Sequence, residues 1–184
     1  KKLIEENYPL EKISEVEALR YFHTSAKINK IENIPQKNNI LLVSDYSDKS
    51  NLNLLNAINN INKINLEYKF TLKEHPLKSL NINSFINIKK TYKNFFELRK
   101  NNHVAIVSNT TSAVIDLYLL DYKIISIMDN RSINLSPMRK SKNIIFLSNF
   151  DELPKILSDM KFNNYNFKNK KFFYLNKDLR LWKK

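Results

Sequence analysis

Two short stretches carry the residue types that could do chemistry. "KEHP", Lys73 to Pro76, ends an apolar run with a cation, an acid, an imidazole and a proline. "SNTTS", Ser108 to Ser112, ends another with an amide set among hydroxyls. An imidazole donates to phosphate oxygens, and hydroxyls beside the free N–H groups of a first helical turn form a cradle for an anion. Pro76 biases His75 toward extended backbone and keeps a helix from starting at once. Each stretch also has an ordinary reading, since a Ser/Thr cluster caps a helix and a His-Pro pair makes a turn. Their conjunction is what suggests a site, because both follow strand-like runs and would meet on one edge of a sheet.

The elements that must position them follow from periodicity. Ile13, Val16, Leu19 and Phe22 recur at helical spacing and predict an amphipathic helix over Leu10 to Phe22. From Asn39 the chain alternates. "ILLVSD", "YKFTLK", "FINIKK", "HVAIVS", "KIISIM" and "NIIFLS" read as strands, most of them continuously apolar. Between and after them "KSNLNLLNAINNI", with Leu52, Leu55, Ile58 and Ile61 on one face, "KNFFELRK", "TSAVIDLYLL" and "FDELPKILSDM" read as helices. Buried strands separated by helices predict an α/β domain, a Rossmann-like doubly wound parallel sheet with helices on both faces. In such a sheet ligands bind beyond the carboxyl ends of the strands. Ser44 and Asp45 reach that edge too, as a plain turn or as nucleotide contacts.

Composition narrows the chemistry. With no cysteine among 184 residues, disulfides, thiolate metal sites and a cysteine nucleophile are excluded, which suits a reducing cytoplasm. With no glycine, a Walker-type loop or a dinucleotide fingerprint is excluded, and turns needing positive φ are expected to fall to asparagine. No apolar run reaches the roughly 20 residues of a membrane span. The net charge of +13 attracts polyanions, phosphates or an anionic membrane face without choosing among them. His23 and His103 have no comparable setting, and Asp116 lies inside a helix, facing solvent or capping a neighbour.

In this order, "KEHP", "SNTTSAVIDLYLLDYKIISI" and "INLSPMR" resemble the carboxyl-terminal half of bacterial surface-carbohydrate biosynthesis proteins of the GT-B type. These are relatives of the CDP-glycerol glycerophosphotransferases, polysialyltransferases and capsule sugar transferases, which share a Lys-x-His-Pro motif and a later Ser/Thr-rich turn. The likeness runs from about Glu17 to Ile156. It implies one half of a GT-B architecture and sugar transfer from a nucleotide-sugar donor to a glycan or lipid-linked acceptor, with an acidic sugar on CMP as the finer expectation. No cofactor and no metal are implied. His75 would contact the donor phosphate and stabilise the departing nucleotide, where charge grows in the transition state. Ser108, Asn109, Thr110, Thr111 and Ser112 would cradle the same phosphate, and Lys73 would add charge. Arg131, Asn134, Ser136 and Arg139, in "DNRSINLSPMRK", would be further contacts, or else part of a loop ordered by Pro137. Glu74 stands where relatives often carry proline.

The expected organisation is a helical linker arm over 1–36 from a missing amino-terminal domain, a nucleotide-binding domain over 37–162, and a basic aromatic arm over 163–184. That last arm, with Phe172, Phe173, Tyr174, Leu181 and Trp182, is expected to cross to the missing domain. Stacking on single-stranded nucleic acid or lying on anionic lipid are its other readings. The expected setting is cytoplasmic, peripheral to the inner membrane, and this fragment alone is expected to be inactive. A nucleic-acid-binding domain and a nucleotide-sugar epimerase are the rival functions. The second would need acid-base carboxylates.

Overall fold

A computed structural model of the chain describes residues 14, 16–21, 38–64, 67–85, 87–129, 133–162, 176 and 178–182. Six strands form one sheet: β1 (Asn39–Val43), β2 (Lys69–Lys73), β3 (Ile88–Thr91), β4 (Val104–Ser108), β5 (Lys123–Ile127) and β6 (Ile144–Leu147). Four helices connect or follow them: α1 (Asp48–Ile64), α2 (Phe95–Arg99), α3 (Ala113–Leu119) and α4 (Leu153–Phe162). Every strand pair is parallel, in the order β3-β2-β1-β4-β5-β6. This is the Rossmann-like order, and its winding reverses between β1 and β4. The expected α/β doubly wound sheet is therefore present.

Alternation along the central strands divides the core into two layers. Ile40, Leu42, Phe70, Leu72 and Ile106 turn to the face covered by Leu54, Ile58 and Ile61 of α1 and by Leu153 and Leu157 of α4. Leu41, Val43, Ala105 and Val107 turn to the face covered by Leu98 of α2 and by Val114, Leu117 and Tyr118 of α3. Being buried on both sides is what makes these strands read as unbroken apolar runs. On α1 the buried face is Asn51, Leu54, Ala57, Ile58 and Ile61, and Leu52 is 58% exposed. Leu52 lies in the first turns of the helix, turned away from the sheet.

The amino-terminal expectation changes more. Val16 to Ala18 lie outside any helix, and Leu19–Tyr21 is one 3-10 turn that buries Tyr21 against the α3 layer. Residues 10–13, 15 and 22, the rest of the expected helix, lie outside the described residues, as do Phe172, Phe173 and Tyr174. The described end of the carboxyl-terminal arm meets this turn. The Leu181 N–H donates to Glu17 Oε1 at 3.0 Å, and the Trp182 indole donates to the Glu17 carbonyl at 3.0 Å.

Positive φ falls not to asparagine but to Asp121 (66°) and Leu179 (52°) among the described residues. Asp121 closes α3: its N–H reaches the Tyr118 carbonyl at 3.2 Å, and the Tyr122 N–H reaches the Leu117 carbonyl at 3.1 Å. That pairing satisfies the last carbonyls of the helix, a position where glycine is usual.

Candidate functional site

The reversal between β1 and β4 places Ser44, Asp45, Ser108 and Asn109 side by side. Val43 pairs with Val107 in the ladder, so the next residues of the two chains leave the sheet together about 5 Å apart. All four are buried, between 1% and 8% exposed. Asp45 is held by a helix residue that composition did not single out. The Asp45 N–H donates to Asn51 Oδ1 and the Asn51 side-chain amide donates back to the Asp45 carbonyl, both at 2.8 Å. Asn51 can do this because Ser47 starts α1 at once, accepting from the Ser50 N–H at 3.3 Å.

What this edge leaves unsatisfied is its main feature. Asp45 Oδ2, Ser108 Oγ, Asn109 Oδ1 and Thr110 Oγ1 are buried and have no hydrogen-bond partner among the described residues. Buried polar atoms are ordinarily paired, and four unpaired ones together make this edge the candidate site.

The loop after β2 brings His75 to the same edge. The His75 carbonyl accepts from the Lys78 N–H at 3.0 Å, closing a tight turn with Pro76 at its second position. The His75 N–H donates to the Ser44 hydroxyl at 2.9 Å. His75 Nδ1 accepts from the Leu77 N–H at 3.2 Å, and the ring meets Tyr46 edge-on at 5.8 Å. With Nδ1 occupied as an acceptor, the neutral imidazole carries its proton on Nε2 and can donate it outward. A cavity of about 440 Å³, lined in part by His75, Lys78, Thr91 and Tyr92, lies beside this loop.

Glu74 proves to be structural. Its carboxylate accepts from Lys90 Nζ at 2.8 Å, Ser79 Oγ at 3.0 Å and the Leu80 N–H, folding residues 74–80 back on β3. Burial alone would raise this carboxyl; the hydrogen bonds from Lys90, Leu80 and Ser79 outweigh it and hold the group below its usual range. The pattern "KEHP" hides this, because every partner lies outside the motif.

Other expected site residues are engaged elsewhere. Lys73 Nζ donates to the Lys93 carbonyl at 2.9 Å and lies 5.4 Å from the centre of the Phe95 ring. Burial lowers its pKa, and Glu97 partly restores it. Thr111 Oγ1 accepts from the Ala113 N–H at 3.3 Å, and the Thr111 N–H reaches the Ser108 carbonyl. Ser112 precedes α3 in helical conformation and makes no side-chain cap. The seven-residue α3 has too little dipole to act as the expected anion cradle, so the cluster's capacity lies in Ser108, Asn109 and Thr110.

In the loop after β5 the described side chains bond within the loop itself. Asn134 Oδ1 accepts from the Ser136 N–H at 3.0 Å, and Ser136 Oγ from the Met138 N–H at 3.3 Å. Both side chains organise their own turn and anchor Met138 in the core. Arg139 is exposed, and Arg131 lies outside the described residues. Asp116 is half-buried and faces Arg20 at 3.6 Å; burial raises its pKa and Arg20 lowers it.

No protein-family model matches the chain. No curated protein matches it either. Among solved structures, the wall teichoic acid polymerase TagF, in a variant soaked with CDPG, is similar at 16% identity and a TM-score of 0.46, over 76% of this chain and 38% of that one. A second structure of that polymerase matches at 17% identity and a TM-score of 0.41, over 76% and 37%. The chain thus spans less than two-fifths of the length of the solved structures it matches.

Proposed function

We propose that this chain is the donor-nucleotide-binding half of a GT-B-type sugar transferase acting in bacterial surface polysaccharide synthesis. The observation that carries the reading is the set of buried, unpartnered atoms on Asp45, Ser108, Asn109 and Thr110 at the reversal of the sheet. A phosphorylated ligand lying across this edge supplies acceptors to the two hydroxyls and to His75 Nε2, and hydroxyl donors to Asp45 and Asn109. His75, fixed by Ser44 and Leu77, then faces the phosphate on which charge grows as the sugar leaves. A donor preplaced in that way lowers the barrier without having to reorganise.

Exposed apolar side chains gather on the same edge. Tyr46, Leu77, Tyr92, Ile133 and Leu135 follow β1, β2, β3 and β5 and are each more than 60% exposed. They suit closure by a second domain, which in this reading brings the acceptor and the general base. The whole enzyme's acceptor is a glycan or lipid-linked chain, and the finer form of the donor is a CMP-linked acidic sugar. With Asp45 at the reversal, the acidic group of such a sugar must point away from it.

The test is a calorimetric titration of the 184-residue chain with CMP, CDP, UMP and UDP, beside His75→Ala, Ser108→Ala and a random oligonucleotide. Saturable binding of one nucleotide, weakened in both variants, supports the reading and names the base. Binding of the oligonucleotide alone, lost with salt and indifferent to His75, would replace it with a basic nucleic-acid-binding domain.

A further inference from the structure

Three lysines among the described residues sit on the loop that carries His75 or bond to it, and each is held differently. Lys73 Nζ donates to the Lys93 carbonyl at 2.9 Å, in the segment between β3 and α2. Lys90 Nζ lies 2.8 Å from Glu74, a carboxylate only 15% exposed that also accepts from Ser79 and Leu80. Lys78 Nζ meets both oxygens of Asp48, at 2.7 and 2.8 Å, and that carboxylate is 80% exposed.

These attachments differ in direction and in what it costs to give them up. Lys73 reaches across β3, away from the reversal of the sheet. Lys90 cannot leave Glu74 without stripping a mostly buried carboxylate of the bond that fastens residues 74–80 to β3. Asp48 loses little when its lysine leaves, because water solvates an exposed carboxylate and exposed ion pairs contribute little. Lys78 also reaches toward the reversal, since Asp48 opens α1, the helix that follows β1. Of the three lysines it is the one that can change partner.

The turn places this cation beside the imidazole. The Lys78 N–H closes on the His75 carbonyl at 3.0 Å, and the His75 N–H is pinned to Ser44, so both side chains leave one fixed turn. Both line the cavity of about 440 Å³. Tyr46 on the His75 ring and Asp48 on Lys78 join the same two loops side by side. A lysine on its flexible four-carbon stem can swing between neighbouring anions, and phosphate oxygens accept strong charge-assisted bonds from it. We propose that Lys78 is the exchangeable cation of this edge: Asp48 and the phosphate that His75 contacts compete for its ammonium group, so that the Asp48 carboxylate sets the affinity of the site. That the phosphate belongs to a nucleotide rests on the donor reading; the competition itself requires only a phosphate at this edge.

The experiment is calorimetry on the 184-residue chain beside Lys78→Ala, Asp48→Asn and the two combined, with CMP, CDP, cytidine and inorganic pyrophosphate as probes. Competition predicts changes of opposite sign. Lys78→Ala is expected to weaken the phosphorylated probes roughly ten-fold and Asp48→Asn to strengthen them roughly two- to five-fold, with cytidine, which has no phosphate, unmoved by either. The gain from Asp48→Asn should vanish in the combined variant, because its route is through Lys78. A gain that survives there is a long-range charge effect and overturns the proposal. Nucleotide binding that is the same in wild type and Lys78→Ala overturns it as well, and leaves the donor reading standing. Pyrophosphate binding with both expected signs, and no nucleotide binding, would sink the donor reading and keep the exchange of Lys78. Saturable binding of none of the phosphorylated probes would sink both. Melting temperatures of every variant separate lost contact from lost fold.

Discussion

The backbone N–H of His75 is hydrogen-bonded to the hydroxyl of Ser44 at 2.9 Å, across 31 positions of sequence. This one bond fixes the tip of the β2 loop against the end of β1, and with it the direction in which the imidazole can donate. Ser44 in turn donates its own N–H to the Lys73 carbonyl at 3.2 Å, so it continues the β1–β2 ladder one residue past the strands.

Ser44→Ala is therefore expected to weaken nucleotide binding roughly five- to ten-fold, the worth of about 1 kcal/mol in positioning, with the imidazole still present. Calorimetry on Ser44→Ala and His75→Ala, alone and combined, checks it. Additive losses in the double variant would show that the two residues act independently and that the bond does not orient the ring.

Glu74→Ala is expected to lower stability by roughly 1–3 kcal/mol at pH 7, because it strands the Leu80 N–H and releases Lys90. The folded carboxyl titrates below its unfolded value, so its contribution is fully present above the ordinary carboxylate pKa and disappears as pH falls through the lowered one. The difference in urea midpoint between wild type and variant should be larger at pH 7 than near pH 3.

His103 provides the opposite pH signature. Burial, with the charges of Arg99 and Lys123 nearby and only Asp121 opposing them, lowers its pKa to about 4. As pH falls below about 6.5 the unfolded chain takes up the proton first, so stability declines between roughly pH 6.5 and 4, by up to about 3 kcal/mol. His103→Gln should flatten that slope, measured by denaturation across the interval. A slope unchanged in the variant would assign it to other groups.

Asp121 tests the absence of glycine. Asp121→Gly should be more stable than Asp121→Ala by about 1 kcal/mol, because both lose the side chain's interactions and only alanine keeps the penalty of the left-handed backbone. Thermal unfolding of the pair decides it, and equal midpoints would mean that the turn relaxes.

The middle of the sheet was the most legible because β1, β4 and β5 are buried on both faces, which leaves apolar runs bounded by polar residues. Leu52 was misread since helical spacing cannot say where a helix overhangs the sheet it covers. The placement of His75, Ser108, Asn109 and Thr110 at the carboxyl ends of β2 and β4 was legible from the apolar runs they end or follow. The roles of Asn51 and Glu74 were not, because each is defined by partners 5 or more residues away that only the folded chain supplies. The bonds of Lys73 to the Lys93 carbonyl and of Ser136 to the Met138 N–H were hidden for the same reason.

Glu17 clasps Leu181 and Trp182 over separations of 164 and 165 residues. So long-range a contact raises contact order, and the clasp is expected to form on a largely assembled sheet. Amide exchange at Leu181, whose N–H donates to Glu17, should accordingly run faster than at Leu42, marking a seam that opens without unfolding the domain. Matching protection at the two would make the seam part of the cooperative core. Such a seam opens while the six strands stay paired.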